Sequence, residues 1–461
     1  MNRLFSFLCL SSILIGGMSF SLTSNALVED QSLQTLIGYM ENGHKCDNSQ
    51  EDFWKIKTLD VHKKMYTTPH RFNPLGSKLD SPEGTYKLRY SKYGCDLGSK
   101  GSIVVLPGRG ESSVDFYETA IDLVARGYSP VYVLDHRGQG LSPRLIKDDL
   151  QKQHLVNYQH YITDMDQAVD DIQQDLNSLG RKLKKTPMYL LTNSMGGGIA
   201  LFYFQMMNEM GKVHPFSAAT LLSPTVRVNY LSYVKKLPTA FNRSLYSEFG
   251  ALQQSRVFCL IPAKAPCGVY ASNTFGDYVP TDFVLKGDAS DQYYMTHSEA
   301  RYNFHRYLFE DFDWSEIISN HYEEGENWNG TLIGGSTAGW VRASTPFFPI
   351  LRSQEFIESL PKAKIMFMSG EFDHRIYRPY FAKDENGDFK RDENGDKIVE
   401  HDLKYHVDYC NDLNKFNSHG DSDMCKMVQV DGSFHEIHKE MDSIRNPALD
   451  KIDQFFIQNA K

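Results

Sequence analysis

The sequence predicts an α/β fold with a mostly parallel, doubly wound sheet, and three observations support this class. Apolar segments of strand character alternate with helical spacing over residues 99–228, which is the pattern of successive βαβ units. The alternation stops after Ser223-Pro224 and resumes near Lys364. The chain has 461 residues, enough to bury the core of one such domain together with additions to it.

The elements of this core follow in order along the chain. Apolar runs predict strands near 102–106, 131–135, 188–193 and 218–223, and residues 158–179 have the apolar spacing of a helix. Residues 27–98 read as an N-terminal extension that packs on the core and supplies the first strands of the sheet. The catalytic core then comprises residues 99–228 and 346–461, and residues 229–345 form an insert. An insert there would lie over the carboxyl edge of the sheet, so we interpret it as a lid.

The strand at 188–193 leads directly into Ser194, and small residues follow at 196–198. This pattern is typical of a nucleophile elbow, a strained strand-to-helix turn that exposes a serine hydroxyl at the top of a sheet. The usual G-x-S-x-G pattern has glycine where this chain has Thr192. The alternative is a buried strand with a glycine-rich turn and no catalytic role. We predict that Ser194 is the nucleophile.

A nucleophilic serine needs a base, and the base needs a group that orients it. The apolar run 364–370 ends in glycine and is followed by Asp373, with Glu371 as a competing acid. The short strand at 427–430 leads to His435, and His438 competes one helical turn later. The order serine, acid, histidine is the one expected in this topology. We therefore predict a triad of Ser194, Asp373 and His435, although each acid and histidine alone could be structural.

A tight turn after the strand at 102–106 predicts an oxyanion hole. Residues 107–111 (PGRGE) form this turn, and we expect the backbone N–H of Arg109 to point at the developing oxyanion. The second donor is the backbone N–H of Met195, the residue after the nucleophile. The alternative is a plain glycine turn with Arg109 as a surface charge. No role is assigned to the Arg109 guanidinium.

These motifs together resemble bacterial lysophospholipase L2, a member of the monoacylglycerol-lipase-like α/β-hydrolases. The resemblance covers roughly residues 85–461 and departs from the family pattern at Thr192 and at Asn193, where histidine is frequent. It implies an α/β-hydrolase fold, ester hydrolysis on single-chain lipids, and a triad at Ser194, Asp373 and His435. The segments that carry it are 107–112 (PGRGES), 135–140 (DHRGQG), 193–197 (NSMGG), 296–302 (THSEARY), 334–342 (GGSTAGWVR) and 432–437 (GSFHEI).

Composition and charge exclude some classes of partner. The net charge of −9 offers no basic patch for nucleic acid and argues against electrostatic docking on anionic membranes.

Eight aromatic residues crowd one stretch of the insert. They could line an acyl-chain pocket, touch a membrane transiently, or form the small core of the lid. They are Tyr293, Tyr294, Tyr302, Phe304, Tyr307, Phe309, Phe312 and Trp314. We expect a single-chain lipid substrate, no cofactor, no metal and no obligate protein partner.

The first 26 residues read as a signal peptide. Arg3 gives a minimal positive region, an apolar stretch runs over 4–20, and small residues at 24–26 suit cleavage after Ala26. A retained N-terminal anchor is the alternative. We therefore expect an exported protein that resides in the periplasm, at the cell surface or outside the cell.

Because we expect an exported protein, the number of its cysteines bears on disulfide formation. Once Cys9 is lost with the signal, six cysteines remain, and an even number in an oxidising compartment suggests disulfides. The sequence does not select among the 15 connectivities that six cysteines allow, and some pairs could stay reduced. Proximity in the chain favours Cys46–Cys95, Cys259–Cys267 and Cys410–Cys425.

A repeated Asp/Asn-Gly pattern at 384–396 has no clear role. Its spacing does not meet that of an EF-hand, so we interpret it as solvated turns, with calcium binding left open.

The sequence thus predicts a serine hydrolase that releases fatty acid from lysophospholipids through an acyl-enzyme. The same machinery would serve a monoacylglycerol lipase or carboxylesterase. It would also serve an aminopeptidase, whose acidic pocket for the substrate amine could come from Asp282, Asp291 or Glu299. A non-catalytic binding module is the remote alternative, and Thr192 is the only feature in its favour.

Overall fold

The structure is a computed structural model of the chain. It describes residues 32–42, 46, 52–62, 85–147, 149–180, 186–227, 295–323, 326, 328, 330, 331, 333, 336–373, 379–381, 388, 390, 391, 399–401 and 403–460.

Eight strands form one sheet in the order β1-β2-β4-β3-β5-β6-β7-β10. The pairs β1–β2 and β2–β4 are antiparallel, and every later neighbouring pair is parallel. This is the strand order of the α/β-hydrolase fold, so the predicted fold class is confirmed. The strands are β1 (Trp54–His62), β2 (Thr85–Tyr93), β3 (Gly101–Leu106), β4 (Tyr128–Asp135), β5 (Met188–Asn193), β6 (Phe216–Leu222), β7 (Ile365–Gly370) and β10 (Cys425–Val430). A separate two-stranded antiparallel sheet consists of β8 (Pro379–Phe381) and β9 (Val399–His401).

Helices cover both faces of the sheet, because the central strands are apolar on both sides. Along β5, Leu190 belongs to the core that packs under α3 and α4, whereas Leu191 belongs to the core under α2 and α11. The helices are α1 (Leu33–Asn42), α2 (Tyr117–Ala125), α3 (Gln159–Ser178), α4 (Met195–Glu209), α5 (Glu299–Glu310), α6 (Ser315–His321), α7 (Ala338–Ser344), α8 (Phe347–Leu351), α9 (Gln354–Glu358), α10 (Lys404–Phe416) and α11 (Asp442–Gln458).

Two disulfides lie within the described residues. Cys46 is bonded to Cys95, which closes a 49-residue separation beside β2. Cys410 on α10 is bonded to Cys425 at the start of β10. These are two of the three pairs that proximity favours, and the third, Cys259–Cys267, lies outside the described residues.

The described part of the insert packs closely on the core. Phe304, Leu308 and Trp314 are buried in the same hydrophobic core as α2 and α11, and Trp328 lies 5.2 Å from Trp314 between ring centroids. Tyr307 and Phe312 pack against this core from its rim. Most of the described aromatic side chains therefore attach the insert to the main core, and they do not form a separate small core of the lid.

Several sequence-based expectations fall outside the described residues. They concern the signal peptide, Tyr293 and Tyr294, the side chain of Phe309, the acids Asp282 and Asp291, and most of the repeat at 384–396. Where the structure describes the chain, no helix combines the length and apolar character that crossing a membrane requires. In those same parts, no group of three or more His, Cys, Asp or Glu side chains could hold a metal ion.

Candidate active site

Ser194 occupies a strained turn between β5 and α4. Its backbone has φ 47° and ψ −113°, a conformation that L-residues rarely adopt and that often marks functional sites. The turn is fixed by backbone hydrogen bonds, since Ser194 N–H donates to Leu222 and its carbonyl accepts from Thr225 N–H, both at 2.9 Å. The side chain is half-buried. The geometry is that of a nucleophile elbow.

The glycine after Met195 is required by close packing. A Cβ added at Gly196 would lie 2.2 Å from the carbonyl oxygen of Leu106, at the end of β3. The first turn of α4 can therefore approach the end of β3 only without a side chain there. This approach places the first N–H groups of α4, which have no partner within their own helix, beside the loop that follows β3.

Among the described residues, the Ser194 hydroxyl hydrogen bonds to Thr225 Oγ1 at 3.1 Å and not to His435. Catalytic hydrogen bonds are often formed only when substrate is bound. A closer approach of the Ser194 hydroxyl to His435 is thus part of any mechanism that uses His435 as its base.

The structure brings Asp373 and His435 together. Nδ1 of His435 lies 2.8 Å from both carboxylate oxygens of Asp373, and the two residues are 3% and 0% exposed. Burial alone would raise the pKa of Asp373, but the neighbouring His435 lowers it below its ordinary value. A buried carboxylate on Nδ1 leaves Nε2 as the ring nitrogen available to accept a proton.

A second buried histidine lies behind this pair. His406 on α10 hydrogen bonds through Nδ1 to Ser369 Oγ at 2.7 Å and donates through Nε2 to the Pro224 carbonyl at 2.8 Å. Burial lowers the pKa of His406 to about 4, so the ring is neutral near pH 7. It joins the end of β7 to the loop after β6.

Glu371 and His438, the alternatives to Asp373 and His435 in the predicted triad, have other partners. Glu371 accepts a hydrogen bond from Gly432 N–H at 2.8 Å. His438 stacks on Phe116, with ring centroids 4.2 Å apart. Its Nε2 lies 3.1 Å from Oε1 of Glu111. Neither residue takes part in the Asp373–His435 pair.

The loop of residues 107–111, here called the oxyanion loop, is held by side chains of the loop after β4. His136 Nε2 donates to the Pro107 carbonyl at 2.9 Å, and Gln139 Nε2 donates to the carbonyls of Gly108 and Glu111 at 2.8 and 3.0 Å. Burial lowers the pKa of His136 to about 4, so it acts as a neutral donor. Because these carbonyls are fixed, the peptide N–H groups between them are fixed as well.

Glu111 connects this loop to the nucleophile and to the histidine side of the site. Its Oε2 accepts hydrogen bonds from Gly108 N–H and, at 3.0 Å, from Asn193 Nδ2. Oε1 faces His438 at 3.1 Å and Lys439 at 3.6 Å. Burial would raise the pKa of Glu111, but His438 and Lys439 lower it to about 2. The carboxylate is therefore charged throughout the neutral range.

The oxyanion loop lies against Ser194, since a Cβ added at Gly108 would come within 3.0 Å of the Ser194 Cβ. Met195 follows Ser194 in the chain and begins α4. Arg109 follows Gly108, so the second proposed backbone donor lies in the loop segment that packs against Ser194. The Arg109 guanidinium hydrogen bonds to Gln153 and Ser336 at 3.1 and 3.3 Å. It is therefore attached to the insert and is not a free surface charge.

Sequence reasoning gave no role to Glu111, His136, Gln139 or Asn193, although all four lie in motifs that carry the resemblance. The available signal in the sequence was an ionisable residue, Glu111, within a glycine-rich turn. Gly108 is only three residues from Glu111, but the other side-chain partners are at least 14 residues away in the chain, and Asn193 and Glu111 are 82 residues apart. Such pairings cannot be deduced from local pattern.

Comparison with known proteins finds similar sequences over part of the chain. The family described as serine aminopeptidase, S33, matches residues 98–257. A probable lysophospholipase L2 of Haemophilus influenzae is 31% identical over 122 residues, which are 26% of this chain and 34% of the relative. Lysophospholipase L2 of Escherichia coli is 37% identical over 103 residues, 22% of this chain and 28% of the relative. The chain thus spans about a third of the length of these relatives.

Among solved structures, a soluble variant of monoglyceride lipase from Saccharomyces cerevisiae in complex with a substrate analog is similar to this chain. It has 13% sequence identity and a TM-score of 0.49, with 81% of this chain and 93% of the yeast protein covered.

Proposed function

We propose that this lysophospholipase-like α/β hydrolase is a serine esterase acting on single-chain phospholipids. Its residues 98–257 match the S33 serine aminopeptidase family. The observation that carries the proposal is the buried Asp373–His435 pair at the same sheet edge as the strained Ser194 elbow. The resemblance of its motifs to lysophospholipase L2 supports the lipid class.

In the proposed reaction, Ser194 attacks the ester carbonyl carbon while His435 Nε2 takes the hydroxyl proton. Asp373 keeps His435 in the tautomer that accepts at Nε2 and stabilises the imidazolium that forms. The backbone N–H groups of Arg109 and Met195 donate to the oxyanion of the tetrahedral intermediate.

Collapse of this intermediate breaks the bond to the glycerol oxygen, which leaves with the proton from His435. Water then attacks the acyl-Ser194 ester, again with His435 as the base, and the fatty acid is released. No step in this sequence calls for a cofactor. Each methylene of the acyl chain buried in an apolar pocket would contribute about 0.8 kcal/mol, so chain length should affect affinity strongly.

The test is release of fatty acid from lysophosphatidylcholine by wild type, Ser194→Ala and Ser319→Ala. Ser319 is an exposed serine on α6, so Ser319→Ala controls for the loss of a hydroxyl. We expect release by wild type and Ser319→Ala and a loss of about 10⁶-fold in kcat with Ser194→Ala. Equal release by Ser194→Ala would overturn the nucleophile, and no release by a wild type that a fluorophosphonate labels would overturn the lysophospholipid substrate.

The second candidate function is an aminopeptidase, because the matching family is described as one. It would use the same triad and would need an acidic group for the free amine of the substrate. Glu299 is exposed at the start of α5, and it is the one of the three acids proposed for this role that the structure describes. Hydrolysis of aminoacyl-p-nitroanilides in preference to acyl esters would favour this function.

We also propose that the protein works outside the cytoplasm, where a transient contact of the lid with a membrane would deliver the lipid. The disulfides Cys46–Cys95 and Cys410–Cys425 support an oxidising compartment. Fractionation of cells that express the full chain, with detection of the protein in the periplasm and medium, tests this localisation.

A further inference from the structure

The loop that carries His435 is attached directly to the insert. Its residues 431–440, here called the histidine loop, meet residues 295–301, here called the buttress segment. Glu436 N–H donates to the Met295 carbonyl at 2.9 Å. Thr296 Oγ1 donates to the Lys439 carbonyl at 2.5 Å. The buttress segment thus holds the backbone immediately after His435.

The backbone before His435 is held through a buried carboxylate. Glu440 is 0% exposed, and its Oε1 accepts a hydrogen bond from Phe434 N–H at 2.6 Å. Its Oε2 accepts one from His297 N–H at 2.9 Å, and His297 Nδ1 lies 3.1 Å from the same oxygen. His297 Nδ1 also lies 3.2 Å from Oε1. Both oxygens of Glu440 are therefore acceptors, and together they join the histidine loop to the buttress segment.

Ring packing and an arginine complete the attachment. The His297 ring stacks on Phe434 with centroids 3.9 Å apart and planes 14° apart. Arg301 donates to the Glu440 carbonyl at 2.7 Å and pairs with Glu118 and Asp442 at 2.6 Å. Because Glu118 lies on α2 and Asp442 begins α11, Arg301 anchors the buttress segment to the core on both sides of the histidine loop.

We propose that Glu440, held by His297 of the insert, is a positioning residue that fixes the backbone around His435 in its catalytic orientation. The inference rests on the proposed role of His435 as the base. It extends that role, because it makes the insert part of the catalytic framework in addition to any function as a lid. A displacement of about 1 Å in a catalytic group can reduce the rate about 100-fold.

Glu440→Gln tests this role with almost no change of shape. The amide offers one acceptor oxygen and one NH₂ donor, so its NH₂ must face either Phe434 N–H or His297 N–H, and a donor opposes a donor. Glu440→Asp keeps two acceptor oxygens on a shorter side chain. Glu316→Gln, on the exposed face of α6, is the matched control for the loss of a carboxylate charge.

The readout is kcat for p-nitrophenyl butyrate per active site, with sites counted by fluorophosphonate titration and folding checked by circular dichroism. We expect kcat to fall about 10- to 100-fold in Glu440→Gln with little change in KM. We also expect a matching decrease in the rate of fluorophosphonate labelling and a partial recovery in Glu440→Asp. A kcat per site in Glu440→Gln equal to that of wild type and Glu316→Gln would overturn the proposal, since a purely structural role lowers the number of sites alone.

If Glu440→Gln does not fold, His297→Phe replaces it. This variant keeps a ring on Phe434 and the backbone N–H but removes Nδ1. We therefore expect a smaller decrease in kcat per active site than in Glu440→Gln, and an unchanged kcat would overturn the proposal.

The outcome of this test is separate from that of the proposed function. Failure of wild type on lysophosphatidylcholine with activity on the nitrophenyl ester rejects the lipid alone, whereas full activity of Ser194→Ala rejects the triad.

Discussion

The oxyanion loop after β3 and the histidine loop after β10 both belong to the candidate site at Ser194 but are supported largely by different parts of the molecule. His136 and Gln139, from the loop after β4, hold the carbonyls of the oxyanion loop. The histidine loop is held by the insert, through Met295 directly and through His297 by way of Glu440. The oxyanion loop therefore rests mainly on the core fold, with one contact to the insert between Arg109 and Ser336, whereas the histidine loop has several contacts with the insert.

The two halves meet at Glu111, whose oxygens face the oxyanion loop and Asn193 on one side and His438 and Lys439 on the other. Changes in the two loops should consequently differ in what they disturb. Loss of the His136 or Gln139 side chain should leave His435 in place, and damage to the buttress segment should leave the oxyanion donors in place. The following predictions test this division.

The largest effect is expected for the acid of the histidine side. Asp373→Asn should lower kcat about 10⁴-fold, because the amide favours the wrong tautomer of His435. Glu371→Gln is the matched control, since its amide oxygen can still accept from Gly432 N–H, and it should cost far less. Steady-state kinetics on a p-nitrophenyl ester measures both, and the reverse ranking would transfer the role of the acid to Glu371.

Glu111→Gln should lower kcat by about 10²- to 10³-fold, the range for loss of one oxyanion donor. The amide would present a donor either to Gly108 N–H and Asn193 or to His438 and Lys439, so one side of the loop must shift. Kinetics on the same ester measures the change, with Glu316→Gln as control. A wild-type kcat would show that the oxyanion loop does not depend on Glu111.

Removal of the Cys410–Cys425 disulfide should destabilise the chain by about 3 kcal/mol, as expected for a loop with a sequence separation of 15. This bond ties α10 to β10, the strand that leads into the histidine loop. Urea unfolding of the Cys410→Ala/Cys425→Ala double variant measures the loss, and kcat of the folded variant should stay near that of wild type. A large loss of kcat at full folding would instead make the bond part of the site geometry.

Each half of the site also contains a buried neutral histidine, His136 under the oxyanion loop and His406 behind Asp373. Burial lowers both pKa values to about 4, below the ordinary value of about 6.5. Between pH 6.5 and 4 the unfolded state therefore binds more protons, and the free energy of unfolding falls as the pH falls.

His136→Gln and His406→Gln should each reduce this slope by about 1.4 kcal/mol per pH unit, which corresponds to one proton. Urea unfolding at several pH values between 4.5 and 7 measures the slopes. An unchanged slope in either variant would mean that the histidine is protonated in the folded state.

The sequence predicted the parts of the fold that depend on continuous apolar runs. Strands β3, β5 and β7 lie within one or two residues of their predicted positions, since strands buried on both faces are apolar throughout. β4 begins at Tyr128, three residues before the prediction, because the polar residue Ser129 interrupts its apolar pattern. β1 and β2 were expected only as first strands supplied by the N-terminal extension, without stated bounds.

The candidate site was predictable only where a residue follows directly on a strand. Ser194, Asp373 and His435 were named from their places after β5, β7 and β10. The supports of these residues were not, because Glu440 and His297 are 143 residues apart and Asn193 and Glu111 are 82 apart. Contacts over such separations depend on how the insert returns to the core, which local pattern does not encode.

The attachment of residues 295–301 to the histidine loop also sets a rule for protein engineering. Exchange of inserts between related hydrolases is an attractive way to change which acyl chains they accept. In this protein the transplanted segment should end before Met295, because a junction placed further on would also replace His297, the partner of Glu440. A chimera joined before Met295 keeps its native support for His435, so a change in its activity can be attributed to the new binding surface.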